Sequence, residues 1–149
     1  MKKMYLVIIL SVLSQIVWAQ SYQQEAKAIQ KLLETEGKTW RSGDVQAHAD
    51  CWSIKPYSRI IVSTTEGKTM DIDPYTMLHP PLEWVGKGGS AIHQNYKFNI
   101  QKNIAWVSHD EVSTSSDGIK SYSYEIRLLE KIKGKWKLIG QSIHFYQPQ

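Results

Sequence analysis

Residues 121–146, SYSYEIRLLEKIKGKWKLIGQSIHFY, decide the fold. Alternating side chains over this length read as a long antiparallel hairpin that turns at Ile132-Lys133-Gly134. Tyr122, Tyr124, Ile126 and Leu128 share one side of the first strand, and Trp136, Leu138, Gly140, Ser142 and His144 one side of the second. A three-residue loop with Gly134 in the left-handed region pairs Lys131 with Lys135 and joins both stripes into one face. A two-residue Lys133-Gly134 turn shifts the register by one and sets the tyrosines beside Ile139, Ile143 and Phe145 instead. The first register is preferred because it yields one continuous aromatic and aliphatic surface.

Working outward, Ala91–Ile100 and Ile104–Ser113 read as two further strands, separated by turns at Gln101-Lys102-Asn103 and at Ser115-Ser116-Asp117-Gly118. Upstream lie a β-branched strand at Arg59–Thr65, a turn at Glu66-Gly67 and a short return at Thr69–Ile72. Residues 73–89 read as a long connection with a short helical turn, a kind of segment that often borders a site. Before all of these, Ala26, Ile29, Leu32, Leu33, Glu36 and Trp40 recur at helical spacing from Gln23 to Trp40. Asp44 caps a second short helix that runs from Val45 to about Trp52. The expected architecture is therefore α+β: a cone-shaped, curved antiparallel sheet, made of a four-strand C-terminal meander and short N-terminal strands, wrapped around N-terminal helices.

The first residues read as a signal for export. Met1-Lys2-Lys3 is basic, Tyr5–Val17 is apolar, and Val17-Trp18-Ala19 offers small residues at the cleavage offsets. The expected layout is a signal peptide at 1–19 and one domain at 20–149, secreted or periplasmic, with no stable membrane anchor after cleavage. Loss of Lys2 and Lys3 takes the formal charge from +4 to +2. The one basic cluster, Lys131, Lys133, Lys135 and Lys137, brackets a hairpin turn, so no nucleic-acid partner is expected. Cys51 is the single cysteine and reads as a small buried apolar residue.

Six Trp and eight Tyr against two Phe favour cavity walls and interfaces as well as core. A curled sheet covered by one helix leaves its wide end open, so a pocket is expected with Trp40, Trp52, Tyr57, Trp84, Tyr96 and Tyr124 in its wall and His48 at its entrance. Asp110, on the strand face of Trp106, and His144 are the candidate proton-transfer groups, and with Ser142 they are also expected among the ligand-binding residues of the pocket. No metal or cofactor is expected: His109 and Glu111 share a strand face, but the sequence identifies no third ligand. In the preferred register Leu129, Ile139, Ile143 and Phe145 point away from the tyrosines. That many apolar groups on an outer face argue for a homodimer through it.

The Trp40-Arg41-Ser42-Gly43-Asp44 helix end, the run to Trp52 and Pro56-Tyr57, Asn103-Ile104-Ala105-Trp106-Val107 and Gly134-Lys135-Trp136-Lys137-Leu138-Ile139 occur in an order and spacing that resemble the nuclear transport factor 2-like superfamily. Within it the chain looks like the small secreted SnoaL-like or ketosteroid-isomerase-like domains. The resemblance covers most of residues 24–146 and implies a cone-shaped fold, frequent homodimers, and a pocket used for catalysis, ligand binding or subunit contact. Relatives often carry a polar or ionisable residue in the last strand, where this chain has Gly140 and Ser142, with His144 further along. The expected function is binding of a small, partly apolar ligand without a catalytic set. The alternatives are an isomerase, cyclase or hydratase acting through Asp110 or His144, and a dimeric interaction module with a filled pocket.

Overall fold

A computed structural model describes residues 2–148, with side chains from Gln20 onward. The side chains of the expected signal segment, 1–19, lie outside the described residues. Helix α1 (Lys2–Ser42) is followed by α2 (Val45–Ala49), whose cap is the Asp44 side chain accepting from the Ala47 N–H at 3.1 Å. Strands β1 (Ile60–Ser63) and β2 (Thr69–Ile72) precede a 3-10 turn (Pro74–Met77) and then β3 (Ser90–Gln101), β4 (Ile104–Thr114), β5 (Lys120–Ile132) and β6 (Lys135–Tyr146). They form one six-stranded sheet in the order β2-β1-β6-β5-β4-β3. The C-terminal meander is antiparallel as read from the sequence. The sheet as a whole is mixed, because β1 runs parallel to β6.

Helix α1 packs on one face of this sheet, and the core is the seam between them: Ile29 and Leu33 against Val107, Leu129, Leu138 and Trp136. Complete burial of one such aliphatic side chain stabilises the fold by roughly 1.5–3 kcal/mol. Glu25 fixes the seam at the hairpin end, accepting from Trp136 Nε1 at 2.6 Å and pairing with Lys131. Cys51 is buried, as expected, and burial pushes its thiol up to about 11.

The terminal hairpin corrects the preferred register. Lys133 (φ 49°) and Gly134 (φ 79°) form a two-residue turn, and Ile132 pairs with Lys135. Leu129 then pairs with Leu138 but Leu128 with Gly140, so Ile139 is an extra residue that bulges β6. The bulge changes which residues share a face half-way along the strand. Trp136 and Leu138 therefore lie inside with Leu129, while Tyr122, Tyr124, Ile126 and Leu128 lie outside with Gly140, Ser142 and His144. Leu129, Ile143 and Phe145, expected outside, are on the helix side, and Ile139 is buried at the bulge. The helix covers the face opposite the tyrosine stripe.

Candidate functional site

Inside the wide end of the cone is an open cavity of about 310 Å³. Its walls are apolar: Trp40 from α1, Trp84 from the 73–89 connection, Ile60 and Val62 from β1, and Ile143 and Phe145 from β6. The connection is held on the end of α1 by Gly86 N–H donating to the Trp40 carbonyl at 3.0 Å and Gly88 N–H to the Arg41 carbonyl at 2.9 Å. Gly43 and Gly86 meet there through their backbones, both at positive φ. This docking is what puts Trp84 at the cavity.

The floor is polar and ionic, and it comes from residues that alternate with the outward tyrosines. On β5 the inward positions are Ser121, Ser123, Glu125 and Arg127; on β4 they are His109, Glu111 and Ser113. Arg127 Nε donates to Glu125 Oε2 at 3.0 Å, Nη1 donates to Gln141 Oε1, and Glu36 of α1 lies 3.7 Å from Nη1. Ser123 Oγ donates to Glu125 Oε1 at 3.0 Å. On its other side Glu36 meets His48 Nε2 at 3.0 Å, while His48 Nδ1 donates to the Met77 carbonyl at 2.9 Å. Two carboxyl groups, Glu125 and Glu36, thus meet a single guanidinium, and a third, Glu111, lies in the same floor.

Their acidities diverge. Burial works to raise Glu36, but Arg127 and the His48 hydrogen bond outweigh it and hold the carboxyl below its ordinary range. Burial raises Glu125, opposed by Arg127 and reinforced by Glu111, so this carboxyl keeps its proton to higher pH than usual. Glu111 is lowered against its burial by hydrogen bonds from His93 and Ser113. Arg127 stays charged: its three carboxylate neighbours more than offset the cost of burial.

Beside this floor, His93 Nε2 faces Glu111 Oε2 at 2.7 Å and His109 Nε2 faces Glu125 Oε2 at 3.4 Å. The His109 ring stacks on Tyr96 with centroids 4.9 Å apart, and burial pushes its pKa down to about 3. His109 Nδ1 and the Tyr96 hydroxyl are buried with no hydrogen-bond partner. The ligand atoms of His93, His109 and Glu111 all lie within 4.8 Å of one another.

Of the residues expected in the pocket, Trp40 and Trp84 line the cavity. His48 is fully buried beneath it and Trp52 is in the core, bridged to Leu138. Tyr96 is inside but packs on His109 and Phe98. Tyr57 is exposed, donating to Glu130. Tyr124, Asp110, Ser142 and His144 lie on the outer face: Tyr124 pairs with Asp110 on one side and with His144 on the other, and Asn95 donates to Asp110 at 2.6 Å. Asp110 and His144 thus face away from the cavity and cannot transfer protons within it. Glu36, Arg41, Glu111, Glu125 and Arg127 are the ionisable groups that line the cavity, and none of them was assigned to it from the sequence. Their signal was present in the Ser-Glu-Arg alternation of β5, which an apolar-inside rule assigns to solvent.

Neither a protein-family model nor a curated protein matches the sequence. Solved structures do match. An NTF2-like protein with a cystatin-like fold from Novosphingobium aromaticivorans superposes with a TM-score of 0.64 at 10% identity, covering 90% of each chain. The chain has the nuclear transport factor 2-like fold. An NTF2-like protein from Cytophaga hutchinsonii gives 0.62 at 15% identity over 80% of this chain and 97% of its own. A protein of unknown function with a cystatin-like fold from Nostoc punctiforme gives 0.62 at 15% identity over 83% and 92%. At these identities the likeness is one of fold, and what a nuclear transport factor 2-like cone does depends on its site.

Proposed function

We propose that this protein is a secreted or periplasmic binder of a small amphipathic molecule, whose apolar body lies against Trp40, Trp84, Ile143 and Phe145 and whose polar end reaches the floor. The observation that carries this reading is the change from apolar wall to ionic floor within one open cavity. The volume is at the lower end of the range for small-molecule sites. The cavity sets three carboxyl groups, Glu36, Glu111 and Glu125, against two guanidiniums, Arg127 in the floor and Arg41 in the wall, so it favours a hydrogen-bond donor or a cationic head over a carboxylate. Titration of the protein with alkyl amines and with alkyl carboxylates of equal length, followed by tryptophan fluorescence and thermal shift, tests it. Amines are expected to bind more tightly and Trp84→Ala to weaken them; equal indifference to both series overturns the reading.

A second reading is proton-transfer catalysis in the same cavity, with Glu125 as the acid or base. It is supported by the raised affinity of this cavity-lining carboxyl for its proton. A second copy of the chain is the proposed partner, and the outer face is its docking surface. Ile104, Trp106, Tyr124 and Leu128 are exposed there, with Trp106 paired directly to Leu128.

A further inference from the structure

We propose that His93, His109 and Glu111 form a binding site for one divalent transition-metal ion of the zinc class. The three residues come from two neighbouring strands. His93 of β3 pairs directly with Glu111 of β4, and His109 is two residues before Glu111 on the same strand face. A bulge at Asn95 and Tyr96, with Asn95 at φ 57°, reverses which β3 residues point inward, so that His93 and Tyr96 both come to lie against His109. The donor atoms of all three fall within 4.8 Å of one another.

The second observation is His109 Nδ1. It is a buried ring nitrogen without a partner, on a residue only 2% exposed. Leaving such a group unpaired costs about 1–3 kcal/mol, and a metal ion is an acceptor of its lone pair that would remove the cost. The other nitrogen, Nε2, stands 3.4 Å from the Glu125 carboxyl, the kind of neighbour metal-binding histidines commonly have, and Nδ1 has no partner to give up on coordinating an ion. Two imidazoles and one carboxylate supply three of the four positions of a tetrahedral site and leave the fourth open. In such a site ligand atoms stand about 3.3 Å apart, given metal–ligand bonds of about 2.0–2.1 Å. On binding an ion the 2.7 Å contact of His93 with Glu111 therefore opens by about 0.6 Å, and donor atoms as far as 4.8 Å apart draw together. Glu111 is also part of the cavity wall, so the ion has a route in from the cavity.

The test uses the untagged full chain, stripped of metal, and zinc as the probe. Calorimetric titration is expected to give one equivalent of Zn2+ per chain, weakened at least about tenfold in His93→Gln and in Glu111→Gln, and unchanged in His144→Gln on the outer face. The X-ray absorption spectrum of zinc-loaded wild-type protein should show two imidazole ligands, a readout that does not depend on any variant folding. Absence of stoichiometric binding, fewer than two imidazoles, or equal weakening in the His144 variant overturns the proposal.

Discussion

The Arg127 guanidinium, rising from the sheet, comes within 3.7 Å of the Glu36 carboxylate, reaching down from the helix, and so ties the two layers together beneath the cavity. Both side chains are almost wholly buried, and Arg127 also serves Glu125 and Gln141. Removal of one partner from such a cluster is far costlier than the net worth of the pair, because it strands the charges that remain. Arg127→Met is expected to lower the unfolding free energy by about 3 kcal/mol at pH 7. The deficit should shrink on acidification. In the wild type Glu36 is held below its ordinary 4.5, so it contributes stability above that pH and loses it below. In the variant the carboxyls accept protons more readily, and acid relieves them. Urea unfolding of both proteins at pH 7 and pH 4.5 measures this, and a gap that stays constant or widens contradicts the electrostatic account.

His109 governs a second pH dependence. Its folded pKa is depressed from 6.5 to about 3, first by burial and then by Arg127 and His93, so it contributes stability above 6.5 that is lost as the pH falls toward 3. Glu111, lowered from 4.5, adds to the loss below that pH. Glu125 runs the other way: its raised pKa gives stability at low pH that disappears as the pH rises, and so offsets part of the acid loss. In metal-free buffer, stability should therefore begin to fall near pH 6.5, above the carboxylate range, by an amount on the order of 3 kcal/mol by pH 4. His109→Gln should flatten the limb between pH 6.5 and 4.5 and leave the carboxylate limb below it. A wild-type profile already flat over that interval contradicts the neutral buried imidazole.

Element types were legible from local pattern: the helix from its apolar repeat, the Asp44 cap, and the strands from β-branched runs between turns. The faces of the sheet were not. Three single-residue events decide them: Lys133 adopting positive φ, the extra Ile139, and the bulge at Asn95 and Tyr96. The three-residue loop was preferred for the continuous aromatic and aliphatic surface it yields, but the chain closes the tighter turn with Lys133 in the left-handed region, at a cost of roughly 1–2 kcal/mol for a non-glycine residue. The alternation of β5 was read correctly as a period and inverted as a direction, because the inward stripe is Ser121, Ser123, Glu125 and Arg127. Its charges are satisfied by Glu36, Gln141 and His109, which lie far away in sequence. His93 was invisible as a partner of His109 and Glu111 for the same reason, since only the β3–β4 register brings it opposite.

The placement of Trp84 depends on Gly86. Its φ of 72° suits glycine, its N–H donates to Trp40, and its backbone touches that of Gly43. Gly86→Ala should lower stability by about 1–2 kcal/mol through backbone strain. A Cβ there would make only an ordinary contact with Gly43 Cα at 3.5 Å, so the strain lies in the backbone and is relieved by movement of the connection. It is expected to lift from α1, taking Trp84 with it and weakening ligand binding. Unfolding curves together with alkyl-amine titrations check this, and unchanged affinity in a destabilised variant would separate the loop from the site.

The outer face gives the last test. Trp106 and Leu128 are paired across β4 and β5, both more than two-fifths exposed, and Tyr124 further along β5 stacks on Tyr146 with centroids 4.3 Å apart. A continuous apolar strip of this kind is stabilised by covering it, whereas a charge at its centre must be desolvated when a second copy docks. Trp106→Lys should therefore shift sedimentation equilibrium toward monomer, with at least about a tenfold weaker dimer constant, corresponding to roughly 1.4 kcal/mol. Its thermal stability at low protein concentration should change little, because Trp106 is outside the core formed by Ile29, Leu33, Val107 and Leu129. A wild-type protein that sediments as monomer at high micromolar concentration removes the dimer and leaves the aromatic strip facing solvent. A dimer that tolerates Trp106→Lys moves the interface to another surface.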